Sequence, residues 1–317
     1  MASLFGGFRI DHRGDPPFDG PVKVLLLLTL LTTPLAADPV GVFKKGSRWK
    51  VVSEGHQFAE GMVLDAGNNL YFTDVPRSQL WRVDGRTGEK TLLDDMTGRA
   101  NGIAQGPDSR IYGCAGGDRK IYAWTLDTWQ KEAVASGPRS NDIAIRKDGT
   151  IFFTDPGSQC VWRVSAGTGA LEKAAELGWR PNGITLSLDH KTLLVAEFAS
   201  RHIHGFAIAR DNTLGKDTLA FRLRVPPDGK GSLDGMMVHV DGRLLAGTNL
   251  GVQVASPLAA GEPQTPPVVI PIPDDLPRAN YVRTSQDGRW LYVAHAKAIL
   301  RRELDPDFSK KAPPGGR

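Results

Sequence analysis

The sequence of 317 residues has little cysteine, no strong excess of one charge and no long apolar run. Only Cys114 and Cys160 are present, and no Cys/His spacing typical of zinc sites occurs, which excludes a disulfide-dense scaffold and a zinc finger. The two thiols could pair or could both be buried and free. The formal net charge is +4, with Lys and Arg scattered among nearly as many Asp and Glu. Because the sequence has no basic stripe, we do not expect nucleic acid as a partner.

The longest apolar run, residues 24–31, lies near the start of the sequence and is far shorter than the ~20 residues that span a bilayer. Lys23 precedes it, and residues 32–37 are mostly small. This is the organisation of a secretory signal; a buried strand or helix is the alternative. We expect residues 1–37 to be an N-terminal extension and signal peptide. The protein would then be secreted or periplasmic, with no membrane attachment after cleavage.

What the sequence does contain is a sixfold repeat, best formed in residues 139–157. Each copy has a polar residue, a short apolar run, a turn resembling Asp-Gly, and a second run of aromatic and β-branched residues. The polar positions are separated by 41, 40, 41, 52 and 46 residues. They are Glu60, Asn101, Asn141, Asn182, Asp234 and Asn280. A period of ~40 to 50 residues with strand-turn-strand content predicts a β-propeller.

The predicted fold is all-β, with six blades of four antiparallel strands around a central channel, in one domain over residues 38–317. In the third copy we predict strands at Ile143–Ile145, residues 151–153 and Cys160–Val164, with a hairpin turn at Asp148-Gly149. The fourth strand of each blade is only weakly marked. The wider spacing before the fifth copy predicts a polar insertion over residues 210–232, and residues 256–277 predict a Pro-rich outer connection.

The six polar residues occupy the same place, immediately before each innermost strand, so blades arranged around an axis would aim them at one point. Two carboxylates and four amides there predict a site for a hard cation, and such an oxygen-rich set suits calcium better than zinc or magnesium. In a single copy, an Asn or Asp would more simply cap a turn. Six copies in register favour the metal site.

The sequence resembles the senescence-marker-protein, gluconolactonase and luciferin-regenerating-enzyme-like family over about residues 55–304. The resemblance is carried by short segments: Glu60-Gly61, Arg139-Ser140-Asn141-Asp142, Pro181-Asn182-Gly183, Ser187-Leu188-Asp189 and Asp234-Gly235-Met236. It implies a six-bladed propeller that binds a divalent metal, commonly calcium. One departure is Met62-Val63-Leu64, where the family usually has Pro and an aromatic residue.

The resemblance also implies roles for particular residues. The metal ligands would be Glu60, Asn141, Asn182 and Asp234, and the substrate would be contacted by Arg139.

The two remaining ring positions, Asn101 and Asn280, would hold metal-bound water or substrate. His295 ends the second strand of the sixth copy, where the related diisopropyl fluorophosphatase has a similar His near its metal. It would take part in substrate binding, by polarising the substrate or shuttling a proton, or it would be a plain strand residue.

The function implied is hydrolysis of sugar or related lactones by a metal-dependent, gluconolactonase-like enzyme, with a small-molecule lactone as partner. Calcium is the expected ion, with zinc or manganese as alternatives. Asp234 would activate water as a general base, or would serve as a metal ligand alone, since metal-bound carboxylates are poor bases. Arg139 would orient the substrate through charge-assisted hydrogen bonds.

Two other functions remain open from the sequence. The same site could hydrolyse phosphotriesters or other esters, which a roomy apolar pocket would favour. The protein could also be a non-enzymatic propeller with a structural metal and a rim that binds protein or sugar. The sequence does not indicate an oligomeric state.

Overall fold

The structure is a computed structural model that describes residues 41–258, 265–273 and 278–310. These residues fold into six four-stranded antiparallel sheets, and they contain no helix that could cross a membrane. The predicted six-bladed β-propeller is therefore confirmed. The predicted signal peptide lies outside the described residues and stays a prediction.

Blades one to three follow one another along the chain. Blade one contains β2 (Ala59–Leu64), β3 (Leu70–Asp74), β4 (Gln79–Val83) and β5 (Lys90–Asp94). Blade two contains β6 (Ala100–Gln105), β7 (Ile111–Ala115), β8 (Lys120–Trp124) and β9 (Lys131–Ser136). Blade three contains β10 (Ile143–Ile145), β11 (Ile151–Asp155), β12 (Cys160–Val164) and β13 (Leu171–Glu176).

The other three blades complete the circle. Blade four contains β14 (Pro181–Leu186), β15 (Thr192–Glu197), β16 (His202–Ile208) and β17 (Leu214–Arg222). Blade five contains β18 (Leu233–Val238), β19 (Leu244–Thr248), β20 (Gly251–Ala255) and β21 (Val268–Ile270). Blade six contains β22 (Tyr281–Thr284), β23 (Trp290–His295), β24 (Ala298–Glu303) and, as its outer strand, β1 (Lys50–Glu54).

Blade six joins the two ends of the described chain. Strand β1 pairs antiparallel with β24, so that Lys50 lies opposite Arg301. The segment before β1 extends the contact, since Phe43 bridges to Leu304. This pairing closes the ring of blades.

Apolar side chains fill the spaces between neighbouring blades. One buried cluster joins Val63 of blade one to Ile103 and Trp124 of blade two. Another joins Phe152 of blade three to Leu193 of blade four. Inner strands such as β2 are buried throughout, whereas outer strands such as β5 are largely exposed. The core therefore consists of apolar layers between adjacent blades. The packing of the blades against these layers positions the inner strands around the axis.

The predicted strands of blade three are confirmed, including the hairpin at Asp148-Gly149, where Gly149 adopts φ of 88°. The predicted insertion over residues 210–232 is partly wrong, because β17 occupies its middle as the outer strand of blade four. That strand is mostly exposed and lacks an apolar alternation, so its sequence resembles a loop. In the same way, β21 lies within the predicted outer connection. Both cysteines are buried and free.

Candidate active site

The six repeated polar residues lie at the starts of the inner strands. Glu60, Asn182, Asp234 and Asn280 are buried, whereas Asn101 and Asn141 are half-buried. Asn182 and Asp234 are in direct contact, since the Asn182 Nδ2 donates to Asp234 Oδ1 at 3.0 Å. For Asn101 and Asn141, no side-chain hydrogen bond to another ring residue is found within the described residues. The structure therefore joins part of the predicted set directly and places the remainder at equivalent positions in other blades.

Glycine follows four of these residues because the neighbouring inner strand comes too close for a side chain. A Cβ on Gly61 would lie 2.1 Å from the backbone oxygen of Asn101, and a Cβ on Gly183 would lie 2.1 Å from that of Asp234. The same approach lets Gly235 N donate to the Asn280 oxygen at 2.8 Å. These contacts between blades hold the starts of neighbouring inner strands close together.

In two copies the ring residue is not followed by glycine. These two exceptions to the glycine rule carry side chains that contact each other. Asp142 follows Asn141 in blade three, and Tyr281 follows Asn280 in blade six. The Tyr281 hydroxyl donates to Asp142 Oδ1 at 3.0 Å. Blades three and six stand on opposite sides of the axis in a ring of six, so this hydrogen bond crosses the channel. It lies one residue beyond the ring along both inner strands.

Further hydrogen bonds fix both partners of this crossing contact. The backbone N–H groups of Ile143 and Ile184 donate to Asp142, at 2.9 and 3.1 Å. Arg283 donates to the Tyr281 hydroxyl at 2.9 Å and stacks on its ring. Sequence reasoning assigned no role to Asp142 or Tyr281, although the two exceptions to the glycine rule were visible.

A third residue that sequence reasoning missed is Arg278, which begins the sixth repeat. Its Nη2 lies 2.7 Å from Asp234 Oδ2, and its Nε donates to Asn280 Oδ1 at 3.1 Å. The His295 ring holds the backbone of this arginine, since Nδ1 donates to the Arg278 oxygen at 2.9 Å. The available signal was its place two residues before a ring residue, equivalent to Arg139.

The electrostatics of the ring favour a bound cation. Burial raises the pKa of Glu60 well above its usual range, and nearby Asp234 and Asp142 raise it further. Burial also raises the pKa of Asp234 to about 6, although the adjacent Arg278 opposes the change. The pKa of Asp142 is raised by burial as well. Three buried acidic groups therefore share the Arg278 and Arg283 guanidinium groups as their nearby positive charges.

The donor groups fit a hard cation such as calcium. Glu60 and Asp234 offer carboxylate oxygens, and Asn182 offers an amide oxygen. Asn182 donates through Nδ2 to Asp234 and to the Leu233 oxygen, at 3.0 and 3.1 Å. Within the described residues, no donor contacts the Asn182 Oδ1, which leaves that oxygen for a ligand.

Beside the ring is a cavity of about 530 Å³ with a basic lining. Its lining residues come from blade three and the start of blade four: Arg139, Ser140, Asn141, Pro156, Gly157 and Arg180. Arg139 is exposed, and its backbone N–H donates to Asp155 Oδ2 at 3.2 Å. Asp155 ends β11 and also accepts from Gly157 N at 3.0 Å, so it fixes two sides of the cavity. The cavity can therefore receive a polar or anionic molecule next to the ring.

Comparison with known proteins gives consistent results. Residues 58–272 match the sequence signature of the SMP-30/Gluconolactonase/LRE-like region. A gluconolactonase from Zymomonas mobilis is 27% identical, over 68% of this chain and 73% of the relative.

Two solved structures share the fold at lower identity. A gluconolactonase from Xanthomonas campestris superposes with a TM-score of 0.70 at 24% identity, covering 85% of this chain and 96% of that one. A calcium-binding protein, regucalcin, from Agrobacterium tumefaciens superposes with a TM-score of 0.66 at 16% identity, covering 84% of this chain and 97% of that one. At these identities the structural likeness supports the fold alone.

Proposed function

The chain belongs to the SMP-30/Gluconolactonase/LRE-like family, and on that basis we propose that it is a lactone hydrolase that depends on a divalent metal ion. The observation that carries the proposal is the contact between Asn182 and Asp234 beside buried Glu60. This oxygen-rich group lies next to a cavity with a basic lining. The gluconolactonase relative supports lactones as the substrate class.

Glu60, Asn141, Asn182 and Asp234 would hold the ion. Their oxygens favour calcium, with zinc or manganese as alternatives. When bound, the ion would polarise the lactone carbonyl and stabilise the negative charge that develops on its oxygen. The opposite charges of Asp234 and Arg278 would keep the metal-free site stable until an ion binds.

Asp234 is the residue we assign to proton transfer from the attacking water. A catalytic base works best when its pKa lies near the working pH. In the metal-free site, burial brings the pKa of Asp234 to about 6, closer to neutrality than an ordinary carboxylate, and a bound cation would lower it again. The alternative role for Asp234 is that of a metal ligand alone.

Arg139 and Arg180 are the residues we assign to substrate orientation, because both line the cavity. A guanidinium group forms paired hydrogen bonds with carboxylates and hydroxyls. We therefore propose a small polyhydroxylated or anionic lactone as substrate. Asn101 would contact the substrate from blade two. Asn280 and His295 would act through their contacts with Arg278.

The polar lining favours lactones over phosphotriesters, whose apolar substituents would find no matching surface beside Arg139 and Arg180. For location, we propose export to the periplasm or the medium, on the basis of the signal-like residues 23–37.

The proposal is tested by a pH-indicator hydrolysis assay on a panel of aldonolactones and simple lactones. The purified protein is assayed before and after chelation, with calcium, zinc, manganese and magnesium restored one at a time. We expect activity to disappear on chelation and to return with one ion. Glu60→Gln should need a higher concentration of that ion, because it loses a ligand charge.

Hydrolysis that survives complete chelation would contradict metal dependence. No hydrolysis of any lactone, by protein shown to bind the ion, would contradict the substrate class. Unchanged metal affinity in Glu60→Gln would show that the ring does not hold the metal.

A further inference from the structure

Outside the ring, blade four brings together three side chains that commonly bind transition metals. Glu197 ends β15, and His202 and His204 lie at the start of β16. Their potential ligand atoms all lie within 4.8 Å of one another. In the antiparallel register, Val195 pairs with His204, so Glu197, two residues on, lies on the same face of the sheet as the two imidazoles.

The two distances from the Glu197 carboxylate to the imidazoles match those between neighbouring ligands of a tetrahedral ion, and the two imidazole nitrogens lie within 4.8 Å of each other. Glu197 Oε2 lies 3.3 Å from His202 Nδ1 and 3.5 Å from His204 Nε2. Zinc bonds of ~2.0 to 2.1 Å to nitrogen and oxygen, at tetrahedral angles, place neighbouring ligand atoms about 3.3 to 3.4 Å apart. An ion could therefore enter with little movement of the side chains.

The other side of His204 is held in the way that metal-binding histidines usually are. His204 Nδ1 lies 2.8 Å from Asp217 Oδ1 of β17, and a carboxylate can only accept there. The proton on Nδ1 leaves the lone pair of Nε2 facing Glu197 Oε2. In addition, Trp179 stacks on the imidazole, with ring centroids 4.3 Å apart. A carboxylate behind a ligating imidazole fixes its orientation and strengthens the ligand.

The Nε2 lone pair of His204 and the Glu197 carboxylate face each other, so a positive charge must lie between them. That charge is either a second proton on the imidazole or a metal ion. The three side chains are accessible from solvent, with exposed fractions of 27% for Glu197, 35% for His202 and 16% for His204. Two imidazoles and one carboxylate suit zinc better than calcium, which prefers oxygen ligands throughout.

We infer that Glu197, His202 and His204 form a zinc site with one open position, oriented by Asp217 and separate from the ring. The ion would link the end of β15 to β16 and β17 at the rim of blade four. The fourth position would carry water or a donor from a small molecule, as in other three-ligand zinc sites. This inference does not depend on the proposed lactone hydrolysis.

The experiment uses untagged, metal-free protein and titrates it with Co²⁺, whose visible absorption reports tetrahedral coordination. Zn²⁺ is then added to displace the cobalt, and its affinity is measured by calorimetry. The wild type and Asp234→Asn, which alters the ring, should both show the cobalt spectrum. His202→Ala and His204→Ala should lose it. Asp217→Asn should bind zinc about 10- to 100-fold more weakly, through the loss of the supporting carboxylate.

Circular dichroism identifies any variant that fails to fold, and His202→Ala is the safer of the two because His202 is the more exposed histidine. Cobalt absorption that persists in folded His202→Ala would overturn the assignment. So would a signal lost in Asp234→Asn but kept in His204→Ala, because the ion would then be in the ring. No tetrahedral cobalt signal in the wild type would also overturn it.

Discussion

Arg278 Nη2 lies 2.7 Å from Asp234 Oδ2, so a guanidinium group contacts the carboxylate that we assign to the metal. The arginine side chain is 39% exposed, whereas that of Asp234 is only 7% exposed. The positive charge of Arg278 compensates the buried Asp234 carboxylate. It lies at the position where we expect the divalent metal ion. Ion binding must therefore share Asp234 with Arg278 or displace it.

Arg278→Ala should raise the affinity for the divalent ion at pH 8. A hydrogen bond to a charged group contributes ~1.5 to 3 kcal/mol, so removing the competitor should tighten binding by roughly 10- to 100-fold. Calorimetric titration measures the change, with Arg278→Lys as a control that keeps the charge. Weaker binding in Arg278→Ala would show that Arg278 supports the metal site instead of competing with the ion.

Asp234→Asn should reduce kcat for lactone hydrolysis by ~10²- to 10⁴-fold, the usual contribution of a general base. It should also weaken ion binding, because an amide replaces a charged ligand. The comparison is made at saturating ion concentration, with Asp127→Asn in an exposed turn as the matched control. If saturating ion restores full activity to Asp234→Asn, the residue is a ligand only.

The affinity for the ion should fall as the pH drops below about 6. Burial raises the pKa of Asp234 to about 6, so a proton occupies the ligand below that pH and must leave before the ion binds. Affinity should then fall by at least about tenfold for each further pH unit, because Glu60, whose pKa is also raised by burial, must lose a proton as well. Titrations at pH 5, 6, 7 and 8 and constant ionic strength measure this dependence. Equal affinity at pH 5 and pH 7 would contradict the assignment of Asp234.

Arg139→Ala should raise KM for lactone substrates and leave ion affinity unchanged. The side chain lines the cavity, while the backbone N–H holds Asp155 and is retained in the variant. Steady-state kinetics and calorimetry on the same preparation separate the two effects, with exposed Arg86→Ala as a control. A variant that loses the ion would place Arg139 at the metal instead of the substrate.

Tyr281→Phe should lower the free energy of unfolding by ~1 to 3 kcal/mol, because Asp142 would lose a donor inside the protein. Urea denaturation measures the loss. Tyr122→Phe is the matched control, since its hydroxyl contacts the exposed Asp118, where water can replace it. Equal losses in the two variants would show that the contact across the channel adds no stability.

Much of the propeller could be predicted from the sequence, because the repeat determines local structure. The inner three strands of blade three follow from apolar alternation around Asp148-Gly149. The outer strands could not be recognised, as β17 shows. Its exposed polar residues are ordered by pairing with β16, and local sequence does not reveal a pairing partner.

The ring positions could also be predicted, because they recur once in each repeat. The contacts of Arg278 with Asp234 and of Tyr281 with Asp142 could not, because they join residues 44 and 139 positions apart in different blades. Such contacts depend on how close the inner strands come to the axis. Asp142 and Tyr281 are recognisable in the sequence as the two exceptions to the glycine rule. Only the geometry of the ring shows that their side chains face each other.

The pairing of β1 with β24 has a consequence for biosynthesis. Blades one to five can form as the chain leaves the ribosome, since each uses neighbouring strands only. The last blade must wait until residue 303 has been made, and β1 then pairs with a strand synthesised almost 250 residues later. Until that moment the ring of blades is open. Assembly of the candidate active site is therefore among the final events of folding.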